Sequence, residues 1–501
     1  MLNADHRTSI AEGCRSASAT AQQVRQGLER YVDELAAARI NTFSKCLFSG
    51  YRVLFPSNVP GTQDLLRSEV VEQPMVNAVR MREFQARLRP LLEAGEDPVN
   101  VQLRRCHDHG IEFLACLRMN DRHPGGGPFK MEREELFLSD LKGFGEYRRG
   151  FDFTHPIVRD NLLAIAGEIL HRYDVDGLEL DWMRWCVVFP AAVARERAPL
   201  LSAFIGSVRA LLDEAAQRRG RDRLTLSVRV PQSLQECRAL GFDVEAWLGS
   251  GAVDCLCPSD FFYTDPNTRV EDFVALTHGT PCRVYPSVHP GIANGDDVGL
   301  MRPENYRAAA LNFYRRGAAG VSGYNWQYHW AAMEAPHYPG PADMWPSALG
   351  FLGALRDPEG LDGPRHYLFH ALWQTPSPAG FAHDDDIRLS RGEPEASGTF
   401  RFRVMEPQGT LIFKAVGLGP DEALSVAVNG KAVAPQAIVV VDCPQGQSKA
   451  QGHPWGAFRL HRLKLAAPLL VEGDNVLEAG LRTSSAGRGT VEIREVEFLS
   501  C

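Results

Sequence analysis

Two acids stand two residues apart, Glu179 and Asp181, in the run Asp176–Trp185, DGLELDWMRW. The run alternates, so on a strand Glu179, Asp181 and Met183 share one face and Leu178, Leu180 and Trp182 the other. Strands buried on both faces normally read as near-continuous Val, Ile and Leu. Inward-facing acids must therefore be hydrogen-bonded or used, because burying a bare charge is very costly. Paired carboxyl groups, one protonated and one ionised, are the equipment of glycoside hydrolysis. Asp181 is the expected ionised member, a nucleophile or stabiliser at an open mouth, with Arg184 and Arg229 holding its pKa down. Asp260 is the expected acid–base partner, its pKa raised by Phe262 and Tyr263. Glu179 and Asp121 stand in reserve. Other roles fit the same residues: Glu179 suits an ion pair with an arginine inside a barrel, and Asp260 suits a cap for the turn at Asp265-Pro266-Asn267.

These residues need a scaffold that brings strand ends together. Short apolar runs alternate with helical stretches from residue 40 onward, which predicts parallel strands with helical crossovers. Strands are expected at 40–47, 111–117, about 146–151, 175–181, 224–230, 253–258, 283–288 and 320–324. Helices are expected at 15–39, 156–173, 198–219, 243–248, 270–276 and 303–316. Eight such units make a (β/α)8 TIM barrel, whose catalytic groups sit at the C-terminal ends of the strands. Beyond about Pro376 helical periodicity gives way to alternating strands at 399–404, 409–415, 423–428, 456–465, 475–481 and 491–498. Val428-Asn429-Gly430-Lys431 is a type I′ hairpin signal. A smaller all-β sandwich or jelly roll is expected there. The expected organisation is a helical lead-in (1–37), the barrel (38–345), a bridge (346–375) and the sandwich (376–501).

The ends of the expected barrel strands carry Lys45, Arg118, Asn120, Asp121, His123, Arg184, Trp185, Arg229, Tyr263, His289, Tyr324, Asn325 and Trp326. Aromatic faces beside carboxylates and donors suit a sugar, which packs its C–H faces on rings and needs polar partners for its hydroxyls. The arginines, with Arg148 and Arg149, suit an anionic sugar. The run His123-Pro124-Gly125-Gly126-Gly127-Pro128 lacks the Lys-Ser/Thr of a phosphate-binding loop and reads as a flexible active-site loop.

The bulk numbers agree. The chain has 501 residues, a net charge of −8 and 44% hydrophobic residues. That is a soluble, multidomain composition with no basic stripe for nucleic acid. No apolar run approaches the ~18 residues of a membrane span. The first residues lack a basic and apolar leader, which suits a cytoplasmic protein or a secreted one already processed. Eleven scattered cysteines suit a reducing compartment. His107 and His109 make an H-x-H pair, but on the side of the barrel away from the strand C-termini, so no metal and no cofactor is expected. The expected partner is a carbohydrate, with neither nucleic acid nor membrane, and the sequence is compatible with a homo-oligomer.

Around the fourth strand the sequence resembles two glycosidase frames. The chitinase-like frame D-G-x-D-x-D-x-E is met with Glu179 at its middle acid and Met183 in place of the proton-donating Glu. The α-amylase frame D-G-x-R-x-D places its nucleophile on Asp181, with Glu179 at the Arg position. The broadest resemblance, over about residues 38–345, is to the glycosyl hydrolase-like 10 group of bacterial barrels. It rests on Tyr173–Trp182, Arg118-Met119-Asn120-Asp121 and the run Asp152–Arg159. The C-terminal region resembles the galactose-binding-like jelly rolls, through Val428-Asn429-Gly430 and Glu472-Gly473-Asp474-Asn475. These resemblances imply a TIM-barrel glycosidase; with the strand-end acids the expected reaction needs no cofactor and is retaining, in preference to inverting, through Asp181 and Asp260. The rival readings are a non-catalytic carbohydrate-binding barrel and a metal-dependent hydrolase or isomerase.

Overall fold

The computed structural model describes residues 1–5, 9–10, 18–69, 75–123, 125–138, 150–260, 264–293, 298–300, 302–326, 347–369, 387–393, 396–444, 457–482 and 489–500. Its chain falls into two compact units. One comprises Met1–Phe261, Arg269–Ser287 and Gly317–Arg356; the other comprises Phe262–Thr268, Val288–Arg316 and Asp357–Cys501.

The large sheet is built on parallel strands β1 (Leu2–Ala4), β2 (Thr42–Ser49), β3 (Glu112–Arg118), β4 (Gly177–Asp181), β5 (Thr225–Pro231), β6 (Cys255–Ser259), β7 (Arg283–Val284), β8 (Ser287–Val288) and β9 (Ser322–Gly323). They pair in the order β8-β9-β1-β2-β3-β4-β5-β6-β7. The two end strands, β7 and β8, are halves of one run interrupted at Tyr285-Pro286. The sheet therefore closes on itself as an eight-membered (β/α)8 barrel. A helix separates each pair of neighbouring staves in sequence. The first, α1 (Ala21–Ala37), starts at a capping box in which Thr20 and Gln23 satisfy each other's backbone N–H groups.

Two expectations about the staves are corrected. The first stave is β1, in a segment read as a helical lead-in; three residues are too few to show a period. The stave expected near residues 146–151 has no place between its expected neighbours, because β3 pairs directly with β4 from Leu114↔Gly177 to Arg118↔Asp181. Of that segment, Phe151 makes only an isolated antiparallel bridge to Phe137; Glu146 lies outside the described residues. The omission and the insertion offset each other, and Asp181 remains on the fourth stave.

Outside the barrel wall, Trp182 packs edge-on to Phe153, Phe204 and Phe242, with ring centroids 5.4, 6.2 and 5.6 Å away. Leu178, Leu180 and Trp182 thus bury their face against the helix layer. This forces Glu179 and Asp181 inward, as their alternation predicts.

The second unit is a β-sandwich. One sheet is formed by β10 (His366–Leu368), β11 (Arg388–Ser390), β13 (Gln408–Val416), β16 (Ile438–Cys443), β17 (Phe458–Ala466) and β19 (Thr490–Ser500). Its order is β10-β19-β13-β17-β16, with β11 also on β19. The other sheet, in the order β12-β18-β14-β15, consists of β12 (Ser397–Val404), β14 (Ala423–Val428), β15 (Lys431–Ala432) and β18 (Gly473–Arg482). Alternate residues such as Phe400, Phe402, Leu411, Phe413, Leu477 and Phe498 fill the core between them. The expected hairpin is present: Val428 pairs with Lys431, and Asn429 and Gly430 have φ of 53° and 74°. At the end of its sheet, β16 leaves Val439, Val440 and Val441 about half exposed.

Candidate active site

The register of the barrel stacks its interior in layers. Cys116, Glu179 and Ser227 align across β3, β4 and β5, and one layer nearer the C-terminal ends Ser49, Arg118, Asp181 and Arg229 align across β2 to β5. Both layers are polar and fully enclosed, so every charge must find its partner inside the wall.

In the deeper layer Glu179 accepts a hydrogen bond from Asn3 Nδ2 at 2.5 Å and pairs with Arg229 Nη2 at 3.3 Å. Arg229 also donates to Ser322 Oγ at 2.8 Å and to Ser287, and its guanidinium lies 4.5 Å from the Tyr324 ring centroid. Glu179 is thus engaged as an interior ion pair. In the upper layer Asp181 accepts from the Tyr324 hydroxyl at 3.1 Å and from the Met183 N–H at 3.0 Å. Arg118 Nε lies 3.9 Å from Asp181 Oδ2, while its two terminal nitrogens donate to Asp5 Oδ1 at 3.1 Å and Asn325 Oδ1 at 3.0 Å. The Asn325 N–H donates to Asn3 Oδ1 at 3.2 Å, which closes the circuit back to Glu179. Asn325 holds φ at 49°, a left-handed conformation that asparagine tolerates.

Two expectations about Asp181 are corrected here. It has no exposed surface, so the open mouth expected above it is closed. Burial raises its pKa, and Arg229, Arg118 and Arg184 only partly oppose that rise. The sequence argument counted the arginines and left out the desolvation that wins. Lys45, also fully buried, donates to the Asp5 carbonyl at 2.9 Å, and burial pulls its pKa down to about 7.

Nearer the rim a second cluster forms. Ser49 and the His123 ring nitrogen Nδ1 both bond the Asp121 carboxylate, and the His123 N–H donates to it at 3.0 Å. His123 Nε2 faces Arg184 Nη2 at 3.1 Å. Burial by itself would raise the Asp121 carboxyl, but His123, Lys130 and Arg184 hold it well below the usual carboxylate range. Lys130 has no exposed surface and donates to the carbonyls of Asp121, His123 and Gly125. The glycine run expected to be a flexible loop is instead packed: Gly127 N–H donates to Gly50 O at 2.9 Å, and a Cβ on Gly127 would overlap the Tyr51 carbonyl. These glycines serve close backbone approach.

The remaining expected residues divide by their surroundings. Asn120 spends its amide on Phe151 N–H and on the carbonyls of Phe151 and Val187, tying loops together. Trp185 is buried, with Arg122 stacked 4.9 Å from its ring centroid. Trp326 has no exposed face and donates its indole N–H to Ala348 O at 3.1 Å. Asp260 follows β6 and is half-buried, near enough to the Cys186 thiol to influence it. His289 belongs to the second unit, where its backbone N–H donates to Thr264 Oγ1 at 2.7 Å. Arg148, Arg149, Phe262 and Tyr263 lie outside the described residues. Asn3 and Asp5 escaped the sequence reading because the alternation that would mark them, Leu2 to Asp5, is only four residues long. Among the described residues no group of three or more His, Cys, Asp or Glu is arranged to hold a metal. His107 and His109 turn to separate acids, Asp176 and Asp33. Nor is any described helix long and apolar enough to cross a membrane.

No protein-family model matches the chain, and no curated protein is similar to it. Among solved structures, the chain is similar to the PgaB (BpsB) glycoside hydrolase domain from Bordetella bronchiseptica at 11% identity, covering 71% of this chain and 98% of that one, with a TM-score of 0.45. Alpha-L-fucosidase isoenzyme 2 from Paenibacillus thiaminolyticus aligns at 12% identity over 70% of this chain, with a TM-score of 0.41; the chain spans about half of that protein (48%). A glycoside hydrolase family 18 N-acetylglucosaminidase from Paenibacillus barengoltzii aligns at 11% identity over 71% of this chain and 99% of its own, with a TM-score of 0.37. The strand order by itself assigns the barrel.

Proposed function

We propose that the barrel hydrolyses glycosidic bonds of an oligo- or polysaccharide, with Asp181 and Asp260 as its two carboxyl groups. One observation carries the reading: Asp181 ends the fourth stave between barrel arginines, with its carboxyl pushed upward by burial. That is the condition under which a carboxylic acid keeps a proton to give to a leaving oxygen. Asp181 then takes the proton-donating role, and the less buried Asp260 the ionised role of nucleophile, with retention favoured over inversion. Tyr324 and the Met183 N–H fix the Asp181 carboxyl in orientation. Turnover requires the layer over Asp181 to open to substrate.

The enclosure of Asp181 favours a second reading, a carbohydrate-binding barrel whose interior acids only hold the wall together. A panel of aryl-glycosides and natural glycans separates the two. In a hydrolase, Asp181→Asn and Asp260→Asn each lower kcat by about 10²–10⁴, while calorimetry finds sugar affinity within about threefold of the parent. Binding without turnover by the parent protein supports the second reading, and full turnover by Asp181→Asn removes the first.

A further inference from the structure

The sandwich holds an imidazole in a place where packing calls for a hydrocarbon. Directly opposed residues of antiparallel strands share a face. Along β13, β17 and β16 one face runs Leu411–Leu463–Ile438, then Phe413–His461–Val440, then Ala415–Arg459–Asp442. Leu411, Phe413 and Leu463 belong to the core between the sheets, so this face is the inner one. His461 is 4% exposed and stacks on Phe413, with ring centroids 4.9 Å apart and planes 7° from parallel. Its Nδ1 lies 3.1 Å from the Arg459 carbonyl, which can only accept, so Nδ1 carries the proton. Burial lowers the His461 pKa, which keeps the ring neutral and leaves Nε2 as a bare acceptor. Among the described residues Nε2 has no hydrogen-bond partner.

A cavity of about 730 Å³ opens on this side of the sandwich, within the size range of small-ligand sites. His461 and Val440 line it from one sheet, and Leu424, Val426 and Ala479 from the other. The charged groups around it are engaged or lie in water. Arg459 donates to Asp442 and to the carbonyls of Glu422 and Pro420, and Glu422 is paired with Arg391. Glu478 accepts from the Gly430 N–H, and Arg482 is exposed. Ser425 donates to the Gly480 carbonyl. The polar atom left wanting inside is therefore Nε2, and it wants a donor. A sugar would bring several hydroxyls to this single acceptor. Among the described residues no Trp, Tyr or Phe ring lines the cavity to pack a sugar's C–H face.

We infer that this cavity binds a neutral, apolar molecule bearing one hydroxyl group, whose O–H donates to Nε2 of His461 while its hydrocarbon body lies against Val440, Leu424 and Val426. The hydroxyl satisfies the buried acceptor, and withdrawal of the hydrocarbon from water supplies the affinity. The stack on Phe413 and the bond to the Arg459 carbonyl hold the imidazole in place for it. The site belongs to the sandwich and does not depend on what the barrel does.

Titration calorimetry on the full chain with thymol, menthol, the methyl ether of each, and methyl galactoside tests the inference. Thymol or menthol should bind saturably at one site, about fivefold or more tighter than its ether, which keeps the hydrocarbon and has no proton to donate. Thymol alone marks a site for phenols, menthol alone a site for aliphatic alcohols. His461→Phe keeps a ring on Phe413 and removes the acceptor, so alcohol and ether should then bind within about twofold of each other. Val440→Trp fills the cavity from a half-exposed position and should weaken every ligand by about tenfold or more. Melting curves establish that each variant is folded; should His461→Phe fail to fold, Val440→Trp and the comparison of alcohol with ether in the parent still decide. The inference is overturned if neither thymol nor menthol binds, or if ether and alcohol bind the parent alike. It is equally overturned if His461→Phe keeps the preference for the hydroxyl, if Val440→Trp binds as the parent does, or if methyl galactoside displaces thymol or menthol.

Discussion

Asp181 sits among positive charges and still has a raised pKa, because leaving water costs its charged form more than Arg229 and Arg118 return. That has a consequence for stability. A carboxyl whose folded-state pKa exceeds its unfolded value binds its proton more tightly in the folded state. The stability this supplies is complete below the unfolded pKa of about 4 and is lost as pH rises through the folded value. Asparagine has no such proton to lose. Relative to the parent, Asp181→Asn should therefore gain stability as pH rises from about 4 to about 7. Thermal unfolding of both proteins at both ends of that window checks the sign; a loss of stability by Asp181→Asn relative to the parent as pH rises would show that the arginines prevail.

At the scale of elements, the loop after β3 turns from an expected flexible strap into a clamp. Gly127 approaches the Tyr51 carbonyl too closely for a side chain, and Lys130 ties the preceding carbonyls together. Gly127→Ala should cost about 1–3 kcal/mol, since backbone must move to make room. Denaturant unfolding measures it, and an unchanged midpoint would mean that the contact is slack. The glycines misled the sequence reading because glycine licenses flexibility and tight approach alike; only the partner chain tells them apart. Long periodic elements were legible: β3, β4, β5 and β6 and the helices Pro156–Arg172 and Ala194–Arg218 lie within a few residues of expectation. So was the Asn429-Gly430 hairpin, whose two left-handed residues are written in their types. The three-residue β1 was not legible, and with it Asn3 and Asp5 were missed. Inwardness of Glu179 and Asp181 followed from alternation, whereas their complete enclosure depends on side chains brought from β1, β3, β5 and β9.

For the molecule as a whole, the edge of the sandwich is where association between copies is expected to begin. Among the described residues, strand β16 ends its sheet and exposes Val439, Val440 and Val441. A long apolar edge invites pairing with other chains, and a lysine there is a common deterrent. Val440→Lys should lower light scattering during prolonged storage at high concentration while leaving the melting temperature within a degree or so. Equal scattering by the two proteins would mean that this edge does not drive association.

Leu2 of β1 pairs with Phe43 of the next stave and with Gly323 of the last. The two neighbours of that stave lie far apart in sequence, so the contact with Phe43 is comparatively local and the contact with Gly323 must close a long loop. Asn3 on one side of that seam and Ser322 and Tyr324 on the other are partners of Glu179, Arg229 and Asp181, so the join that closes the wall also supplies the groups that seal its charges in.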